Sequence, residues 1–388
     1  MSYQYVSLFS GAGGLDIGLE RAGLKTISQC EIDKIFCNTL NSNKDWKHED
    51  GNFYFKNSKV INSDVREVSG KDLLLTKKKI DLVVGGPPCQ SFSSSGKQLS
   101  ILDPRGLLVN EYIRLVDELK PKMFLFENVR GLVTARDKLG EPGGVITNII
   151  NSFEDLGYSC RSSLLNSADF GSYQRRVRCF IIGSKRGLAP NFPLPTHNKD
   201  GDLIFSKWNV LRDFLCKYSD KDQQNYTYPT DELVGKLKLI KSGSGLKSKG
   251  KAEATRPGGH WGYRQGTFIA DLELPARTVT GSVSQDWIRW NRKLRRLTFN
   301  EIKLLQGFSK DWIVEGNKSE MYKQIGNAVP TIFGEVLGNL IINHLDNFPT
   351  TIPVRLGVPQ SFKGYINYTK RDHLRNIASR SIHHNFSK

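Results

Sequence analysis

A cysteine, a glutamate and two arginines lie at predicted strand ends, where their side chains could act together in covalent chemistry. Cys89 follows two prolines in the stretch Gly85–Ser93, and Glu127 ends the next apolar segment. The pattern Gln-Arg-Arg-Val-Arg places Arg176 and Arg178 at alternate positions, on one face of a strand. The carboxyl ends of strands in an open α/β sheet meet at one crevice. A thiol beside a carboxylate and guanidinium groups there indicates a nucleophilic site.

Each of these residues also has a structural interpretation. A lone cysteine is more often a small buried hydrophobic residue than a nucleophile. Glu127 could pair with a nearby arginine, and Arg176 and Arg178 could belong to a basic surface strand. The chemical interpretation is favoured because all of these residues occur at strand ends in one chain.

A glycine-rich turn and two later acidic residues indicate a site for a nucleoside. The first predicted strand runs into Phe9-Ser-Gly-Ala-Gly-Gly14 before a helix, and glycines there let the backbone approach a ligand closely. Glu31 could hold a ribose diol, and Asp64 could accept a hydrogen bond from an adenine amino group. No Walker lysine follows the glycines, which disfavours a phosphate-clamping nucleotidase. We therefore expect a nucleoside-bearing cofactor.

Short apolar segments alternate with amphipathic ones over residues 1–184. This alternation predicts βαβ units, hence an α/β fold with a mostly parallel, doubly wound sheet. The predicted strands are Tyr5–Phe9, Thr26–Cys30, Ile80–Val84, Met123–Phe126 and Val177–Ile182, and the predicted helices are Leu15–Ala22, Leu108–Leu119 and Val145–Leu156. Helical spacing returns over Thr298–Gln306, where Thr298 and Glu301 could form a capping box, and over Thr331–His344.

The charge distribution indicates a polyanionic partner. The 388 residues carry a net charge of +17, of which +9 falls in residues 185–295 and +5 in residues 346–388. Such a field attracts nucleic acid, although a solubilising surface is the alternative. A hydrophobic content of 38% excludes a disordered chain. We find no apolar run approaching 18 residues, no signal peptide and no Cys-x-x-Cys pair, which predicts a soluble, cytoplasmic protein with reduced thiols and no membrane contact.

In order along the chain, these motifs resemble those of the DNA (cytosine-5)-methyltransferase family, in particular its bacterial restriction-modification members. The resemblance covers residues 1–345. The motifs that carry it are Phe9-Ser-Gly-Ala-Gly-Gly, Glu31, Asp64, Gly-Pro-Pro-Cys89-Gln-Ser-Phe-Ser-Ser-Ser-Gly-Lys-Gln, Asp103-Pro-Arg-Gly, Glu127-Asn-Val, Gln174-Arg-Arg-Val-Arg, Arg296-Leu-Thr with Leu305-Gln-Gly-Phe, and Gln324-Ile-Gly-Asn-Ala-Val-Pro330. It implies a Rossmann-like methyltransferase fold with a smaller, irregular target-recognition domain.

The resemblance also implies domain boundaries and a cofactor. Residues 1–185 would form the catalytic and cofactor-binding domain, 186–295 the target-recognition domain, 296–345 a return to the catalytic domain and 346–388 a basic extension. The cofactor would be S-adenosyl-L-methionine, with S-adenosyl-L-homocysteine as product, and the final motif would fold back beside the first. The implied cofactor-binding residues are Phe9, Gly11, Gly13, Gly14, Glu31, Ile32, Asp64, Val65, Pro88, Leu108, Asn327 and Val329. Ile32 stands where several relatives have an aromatic residue.

Double-stranded DNA is the implied substrate. Two stretches of the basic middle region could read it, the glycine-rich one around Arg264 and a second one, Arg277-Thr-Val-Thr-Gly-Ser-Val283, which the resemblance places in the recognition domain. Arg264 and Gln265 lie in a glycine-rich stretch with Trp261 and Tyr263, and arginine and glutamine suit guanine and adenine edges. The alternative is that the two aromatic residues are the core of the small domain. The predicted DNA-contacting residues are Gln90, Ser93, Ser95, Lys97, Arg105, Arg264, Gln265, Arg277, Thr278 and Thr280.

The resemblance implies a covalent mechanism. Cys89 would attack carbon 6 of a flipped-out cytosine, Glu127 would bind the ring nitrogen 3 and the exocyclic amine, and Arg176, with Arg178, would orient the base. The loop from Gln90 through Leu107 is the candidate lid. No metal is expected, because the seven histidines show no ligand spacing.

Three alternatives remain beside this assignment. A transfer-RNA methyltransferase of the Dnmt2 type would carry a Cys-Phe-Thr triplet that is absent here, and an adenine-amino methyltransferase would have an aromatic residue where Cys89 stands. A non-catalytic repressor would not need Cys89, Glu127 and Arg176 together. The preferred interpretation is a monomeric bacterial or phage enzyme that works with a restriction endonuclease.

The basic extension admits two interpretations. It could be an auxiliary, partly ordered arm that binds DNA and carries His373, His383 and His384. Alternatively, it could pack on the catalytic domain with Ile352, Val354, Leu356 and Val358 buried.

Overall fold

A seven-stranded sheet organises the protein, whose computed structural model describes residues 2–88, 107–246 and 266–367. The strands are β1 (Gln4–Leu8), β2 (Lys25–Glu31), β3 (Lys59–Asn62), β4 (Leu82–Gly85), β5 (Met123–Val129), β6 (Ser159–Asn166), β7 (Val177–Ser184), β8 (His197–Asn198), β9 (Ser206–Lys207), β10 (Trp287–Trp290) and β11 (Lys293–Arg296). The helices are α1 (Gly14–Ala22), α2 (Lys34–Ser42), α3 (Gly70–Leu74), α4 (Leu107–Leu119), α5 (Gly144–Asp155), α6 (Leu211–Tyr218), α7 (Asp231–Lys238), α8 (Phe299–Leu305), α9 (Lys318–Asn327) and α10 (Thr331–Asp346).

The strand order confirms the predicted doubly wound α/β fold. The main sheet runs β3-β2-β1-β4-β5-β7-β6, and β3 through β5 are parallel. Strand β7 is antiparallel to both β5 and β6, an edge that the strand pattern alone did not predict. Because β1 lies between β2 and β4, the chain reverses its direction of winding there. The carboxyl ends of β1 and β4 therefore flank the crevice where such folds bind ligands.

Alternate residues of each central strand pack into two different layers. Val83 and Phe124 contact the core on the side of α3, α4 and α5. Val84 and Leu125 contact the opposite core, which α1 and α10 cover. Buried on both faces, these strands are continuously apolar, as parallel strands in α/β proteins are.

Local sequence signals place the late helices. Thr298 accepts a hydrogen bond from the Glu301 amide, and the Glu301 carboxylate accepts one from the Thr298 amide, which confirms the predicted capping box of α8. Helix α10 begins at Thr331, as predicted, whereas α9 was not predicted. Asn317 caps α9 through the amides of Ser319 and Glu320.

Residues 186–295 share a core with the segments that follow. Phe214 of α6 and Ile288 of β10 belong to the same buried apolar cluster as Ile302 of α8 and Trp312. A smaller cluster joins Leu237, Ile269 and Trp287. The middle region is thus held against residues 297–325 by apolar packing.

The chain beyond α10 packs on α5, and of the residues that the sequence suggested for this contact Val358 is partly buried against the core there. The Glu154 carboxylate accepts hydrogen bonds from the amides of Leu356 (2.7 Å) and Gly357 (2.9 Å), and Phe362 is buried in the core beside α5. Ile352, Val354 and Leu356 are exposed, so their predicted burial is wrong. A helical segment covers 360–367. The three histidines of the extension lie outside the described residues.

One stretch of the described chain, Lys318–Asp346, is long and apolar enough by length and composition to cross a membrane. It consists of α9 and α10, which are separated at Ala328–Pro330, and more than half of its most apolar 18-residue window is buried inside the protein. This stretch contains no uninterrupted apolar run of 18 residues, because Glu335, Asn339 and Asn343 lie among its apolar residues. As in the core helices of many soluble proteins, its apolar face meets α1 and the sheet.

Helices α1 and α10 cross at glycines, which yields a stability prediction. A methyl group at Gly18 would lie 1.9 Å from the Thr331 carbonyl oxygen and 2.7 Å from the Gly334 Cα. We expect Gly18→Ala to push the helices apart and to lower the free energy of unfolding by about 1–3 kcal/mol. Urea titration followed by circular dichroism measures this loss.

Gly235 provides the matched control, because a methyl group there would meet no described atom within 4 Å. Gly235→Ala in α7 should raise stability by up to about 1 kcal/mol through helix propensity alone. An unchanged unfolding midpoint for Gly18→Ala would show that the crossing tolerates the added volume.

Candidate active site

The glycine turn after β1 is held by the carboxylate at the end of β2. Glu31 is buried and accepts hydrogen bonds from the amides of Gly11 and Asp33, each at 2.9 Å. Phe9, Gly11 and Gly13 all have positive φ, so the chain turns tightly before α1. Burial raises the pKa of Glu31, and the two amide hydrogen bonds oppose that rise. A methyl group at Gly11 would meet no described atom within 4 Å, so the space above the turn is open.

The residues after β2 and β3 differ in what they offer a ligand. Ile32 is 64% exposed, and its carbonyl accepts a hydrogen bond from the Asn62 side chain at 2.8 Å. The Asp64 carboxylate is bound by the Arg66 guanidinium, which lowers the pKa of Asp64. The Val65 side chain is buried in the core, so only its backbone could face a ligand.

The last motif lies directly on the first. A methyl group at Gly14 would lie 2.3 Å from the Val329 carbonyl oxygen and 3.1 Å from the Ala328 side chain. The Asn327 side chain is exposed at the end of α9. Phe9 and Leu108 are partly buried against the core, whereas Pro88 is exposed.

This arrangement fits a nucleoside-bearing cofactor. An open turn with backbone amides, a buried carboxylate with unused lone pairs and an exposed aliphatic side chain follow one another along the carboxyl ends of β1 and β2. A ribose diol needs hydrogen-bond acceptors such as those of Glu31. A purine ring needs an apolar surface such as that of Ile32.

Glu127 of β5 lies beside Gly86, where the chain leaves β4 toward Cys89. It is 8% exposed near the carboxyl end of β5, and a methyl group at Gly86 would lie 2.6 Å from its Oε2. The Asn128 side chain donates a hydrogen bond to the Pro87 carbonyl at 3.1 Å. Cys89 itself lies outside the described residues, but the two residues before Pro88 are fixed beside Glu127.

Arg178 is the ionic partner of Glu127. Its Nε lies 3.0 Å from Glu127 Oε1, and its Nη1 donates to the Val177 carbonyl at 2.9 Å. Burial raises the pKa of Glu127, while the charges of Arg178 and Arg176 oppose that rise. The ion pair that the sequence left open as a structural alternative is therefore present.

Arg176 occupies a different environment from the one expected. It precedes β7, is 2% exposed, and donates hydrogen bonds to the carbonyls of Val279 (2.8 Å) and Asn327 (3.3 Å). The alternative of a basic surface strand is wrong for Arg176 because its side chain is buried, and this burial lowers the pKa of Arg176. Its Nε has no hydrogen-bond partner among the described residues.

Two buried glutamines were not singled out by the sequence argument. Gln174 Nε2 donates to Gln306 Oε1 at 2.9 Å, and Gln174 Oε1 accepts from the Val279 amide at 2.8 Å. Both belong to quoted motifs, Gln-Arg-Arg-Val-Arg and Leu-Gln-Gly-Phe, and their uncharged polar character in buried motifs was the available signal.

The structure covers only part of the predicted DNA-contacting set. Arg277 stacks on the Phe268 ring at 3.9 Å and lies 3.6 Å from Asp286, whose pKa burial raises to about 6. Thr278 and Thr280 are exposed on either side of buried Val279. The other members lie outside the described residues: Gln90, Ser93, Ser95, Lys97, Arg105, Arg264 and Gln265, together with Trp261 and Tyr263.

Within 2–88, 107–246 and 266–367, no group of three or more His, Cys, Asp or Glu side chains could hold a metal ion.

Comparisons with known proteins agree with this geometry. The family described as C-5 cytosine-specific DNA methylase matches residues 3–343. Type II methyltransferase M1.HphI of Haemophilus parahaemolyticus is 32% identical over 88% of this chain and 87% of its own length. Type II methyltransferase M.FnuDI of Fusobacterium nucleatum is 31% identical over 87% of this chain and 93% of its own length.

Solved structures share the fold at lower identity. A protein described as a DNA modification methyltransferase encoded within an Escherichia coli prophage has a TM-score of 0.62 and 23% identity, covering 89% of this chain and 100% of its own. The methyltransferase EhMeth of Entamoeba histolytica has a TM-score of 0.62 and 18% identity, covering 89% and 99%. The matches to the family and to its Type II members extend over most of the chain. This protein therefore belongs to the C-5 cytosine-specific DNA methylase family and is a DNA cytosine-5 methyltransferase.

Proposed function

We propose that this enzyme methylates carbon 5 of a cytosine within one specific sequence of double-stranded DNA, by covalent attack of Cys89 on the flipped-out base. The observation that carries the proposal is the buried carboxylate of Glu127 beside Gly86 and Arg178. A buried carboxylate at the root of a cysteine loop suits a reaction that needs both a nucleophile and a group to bind the base.

Carbon 5 of cytosine is a poor nucleophile, so electrons must be pushed into the ring. The Cys89 thiolate adds to carbon 6, which makes carbon 5 nucleophilic. After carbon 5 has accepted a methyl group, loss of its proton and departure of the thiolate restore the aromatic ring. S-adenosylmethionine, when bound, supplies the electrophilic methyl group.

Glu127 binds the edge of the base in this proposal. Because burial raises the pKa of Glu127, its carboxyl group is protonated more readily than that of an exposed glutamic acid. A proton placed on ring nitrogen 3 withdraws electrons from the ring and assists attack at carbon 6. Arg178, paired with Glu127, holds the carboxyl group in place.

Glu31 and the glycine turn would hold the cofactor. The Glu31 carboxylate would accept from the ribose diol, the amides of the turn would approach the cofactor closely, and Ile32 would cover the adenine. Asp64 would have to exchange part of its contact with Arg66 to accept from the adenine amino group. Asn327 and Val329 would close the pocket from the opposite side.

The target base must leave the duplex, because carbon 6 is unreachable within the base stack. Unstacking costs about a few kcal/mol, which contacts with the rest of the DNA must offset. We propose that the basic region 186–295, with Thr278 and Thr280 exposed toward the DNA, supplies those contacts.

Pairing with a restriction endonuclease is proposed from the relatives. Those compared above are named Type II methyltransferases. A methyltransferase of such a system protects host DNA in the cytoplasm by modifying the sequence that the endonuclease would cut, and we propose that this chain does so as a monomer. Incubation with plasmid DNA and labelled S-adenosylmethionine, followed by sequencing of the 5-methylcytosines, tests the proposal. Modification of a single sequence supports it, and labelling of RNA alone would contradict it.

Replacing Cys89 tests the nucleophile. Cys89→Ser should abolish methyl transfer and leave folding and cofactor binding intact, because a hydroxyl is far less ionised than a thiol near neutral pH. Transfer of the labelled methyl group to plasmid DNA measures the loss. Cys216→Ser, a change at an exposed cysteine of α6, is the control and should retain wild-type turnover. Normal turnover by Cys89→Ser would exclude Cys89 as the nucleophile.

Replacing Glu127 separates base activation from structural pairing. Glu127→Gln keeps the shape of the side chain but cannot transfer a proton, so single-turnover methylation should slow by about 10²–10⁴-fold while DNA binding persists. Glu232→Gln, at an exposed position of α7, is the control. Turnover equal to that of the wild type would make Glu127 only a partner of Arg178.

The basic extension is proposed to add affinity without specificity. Residues beyond 367 include Lys370, Arg371, Arg375, Arg380 and Lys388. Truncation after Asn367 leaves the buried Phe362 in place, and it should weaken DNA binding and reduce the salt dependence of affinity. Changing the same five residues to glutamine in the full chain should have the same effect. A changed methylation sequence would contradict a purely electrostatic role.

A further inference from the structure

Val279, between the two exposed threonines of the predicted DNA-contacting segment, is held by the catalytic domain through both of its backbone polar groups. Its amide donates to Gln174 Oε1 at 2.8 Å, and its carbonyl accepts from Arg176 Nη1 at 2.8 Å. The Val279 side chain is 2% exposed. A displacement of Val279 would therefore also move Thr278 and Thr280.

The side chains of Gln174 and Arg176 also connect Val279 to residues 325–328, which lie next to the proposed cofactor site. Gln174 donates to Gln306, and Gln306 Nε2 donates to the carbonyls of Ile325 (2.6 Å) and Ala328 (3.2 Å). Arg176 Nη2 donates to the Asn327 carbonyl at 3.3 Å. Two buried polar links thus join one residue of the DNA-contacting segment to residues 325–328.

The two segments also touch directly. A methyl group at Gly326 would lie 2.2 Å from the Gly281 nitrogen and 2.2 Å from the Thr280 carbonyl carbon. No side chain separates the last turn of α9 from the segment at that point. A movement of residues 325–328 would therefore be passed to Thr280 by contact as well as by hydrogen bonds.

Buried amide networks of this kind have discrete rather than continuous arrangements. Gln174 and Gln306 are 0% and 1% exposed, so an amide that lost its partner would find no water to replace it. A small shift of the turn must therefore move the whole network or break it. Ala328 and Val329 already contact Gly14 of the glycine turn, where the cofactor is proposed to bind.

We infer that Gln306 is a positioning residue that couples cofactor binding to the placement of Thr278 and Thr280 on DNA. This inference rests on the proposed function and adds a mechanism of coupling to it. When bound cofactor restrains residues 325–328, the hydrogen bonds through Gln306 and Gln174 also restrain Val279. By linkage, DNA bound at the threonines must tighten cofactor binding by the same factor.

The experiment measures this factor at equilibrium, without catalysis. Calorimetry gives the affinity for S-adenosylhomocysteine with and without a short duplex that carries the mapped methylation sequence, and fluorescence anisotropy gives the reciprocal affinity for the duplex. We expect the wild-type chain to show a coupling factor of at least about five, equal in both directions. In Gln306→Met the coupling factor should fall toward one. The affinity for S-adenosylhomocysteine alone and the affinity for the duplex alone should each change by a smaller factor than the coupling does.

Two further variants keep the test decisive. Gly326→Ala places a methyl group 2.2 Å from the Thr280 and Gly281 backbone, so it should displace that segment and lose coupling, and urea titration of the same variant measures how much stability the displacement costs. Gln324→Met is the matched control, because Gln324 is equally buried but its side chain is hydrogen-bonded to Thr39 and to the Glu315 carbonyl. It should keep the wild-type factor.

The outcomes separate the inference from the proposal beneath it. A wild-type factor of one, or wild-type coupling in both Gln306→Met and Gly326→Ala, would overturn the inference while leaving the proposed function intact. Equal loss of coupling in Gln324→Met would reduce Gln306 to a structural role. Failure of the wild-type chain to bind either ligand would overturn the proposed function and the inference with it.

Discussion

Glu127 must remain buried, and much of the active site is arranged to make that burial possible. A buried carboxylate without partners costs several kcal/mol, so Arg178 lies against it and Arg176 adds a second positive charge nearby. Those guanidinium groups are themselves buried and need acceptors. Arg176 finds them in the carbonyls of Val279 and Asn327, which lie far apart in sequence. Burial of one carboxylate is thus connected, through Arg176, to the backbone at Val279 and to the end of α9.

The distant segments can meet because α10 closes against α1. Gly18 and Gly334 remove the side chains that would otherwise separate the two helices, so backbone approaches backbone at the crossing. This approach brings Ala328 and Val329 onto Gly14, beside the glycine turn. The proposed cofactor site would therefore be completed by residues more than 300 positions from its first element, and its geometry would depend on helix packing on one face of the sheet.

Local signals in the sequence predicted much of this structure, and contacts over long distances account for what was missed. The capping box at Thr298 and the alternation of apolar strands depend on neighbours along the chain, so they could be recognised from spacing alone. The antiparallel pairing of β7 depends on β6 and β5 and carries no local signature. Arg176 was assigned to the same strand face as Arg178 because side chains at alternate positions of a strand point to one side. Its burial follows from carbonyls more than 100 residues away.

Within the segment Thr278–Thr280, the buried middle residue attaches the segment to the rest of the protein, and the two exposed threonines are available for contacts with a partner. Val279 faces inward, where its backbone is bound by Gln174 and Arg176, and the threonines on either side face outward. The contacts at Val279 are made by its backbone groups, and the Thr278 hydroxyl adds a side-chain contact by donating to the Arg175 carbonyl at 2.9 Å. A change at 280 can therefore alter what the segment contacts without removing a side-chain hydrogen bond to residues 174–176, whereas a change at 278 removes one. The attachment itself constrains the depth of the segment, since Gly326 leaves no space beneath Thr280.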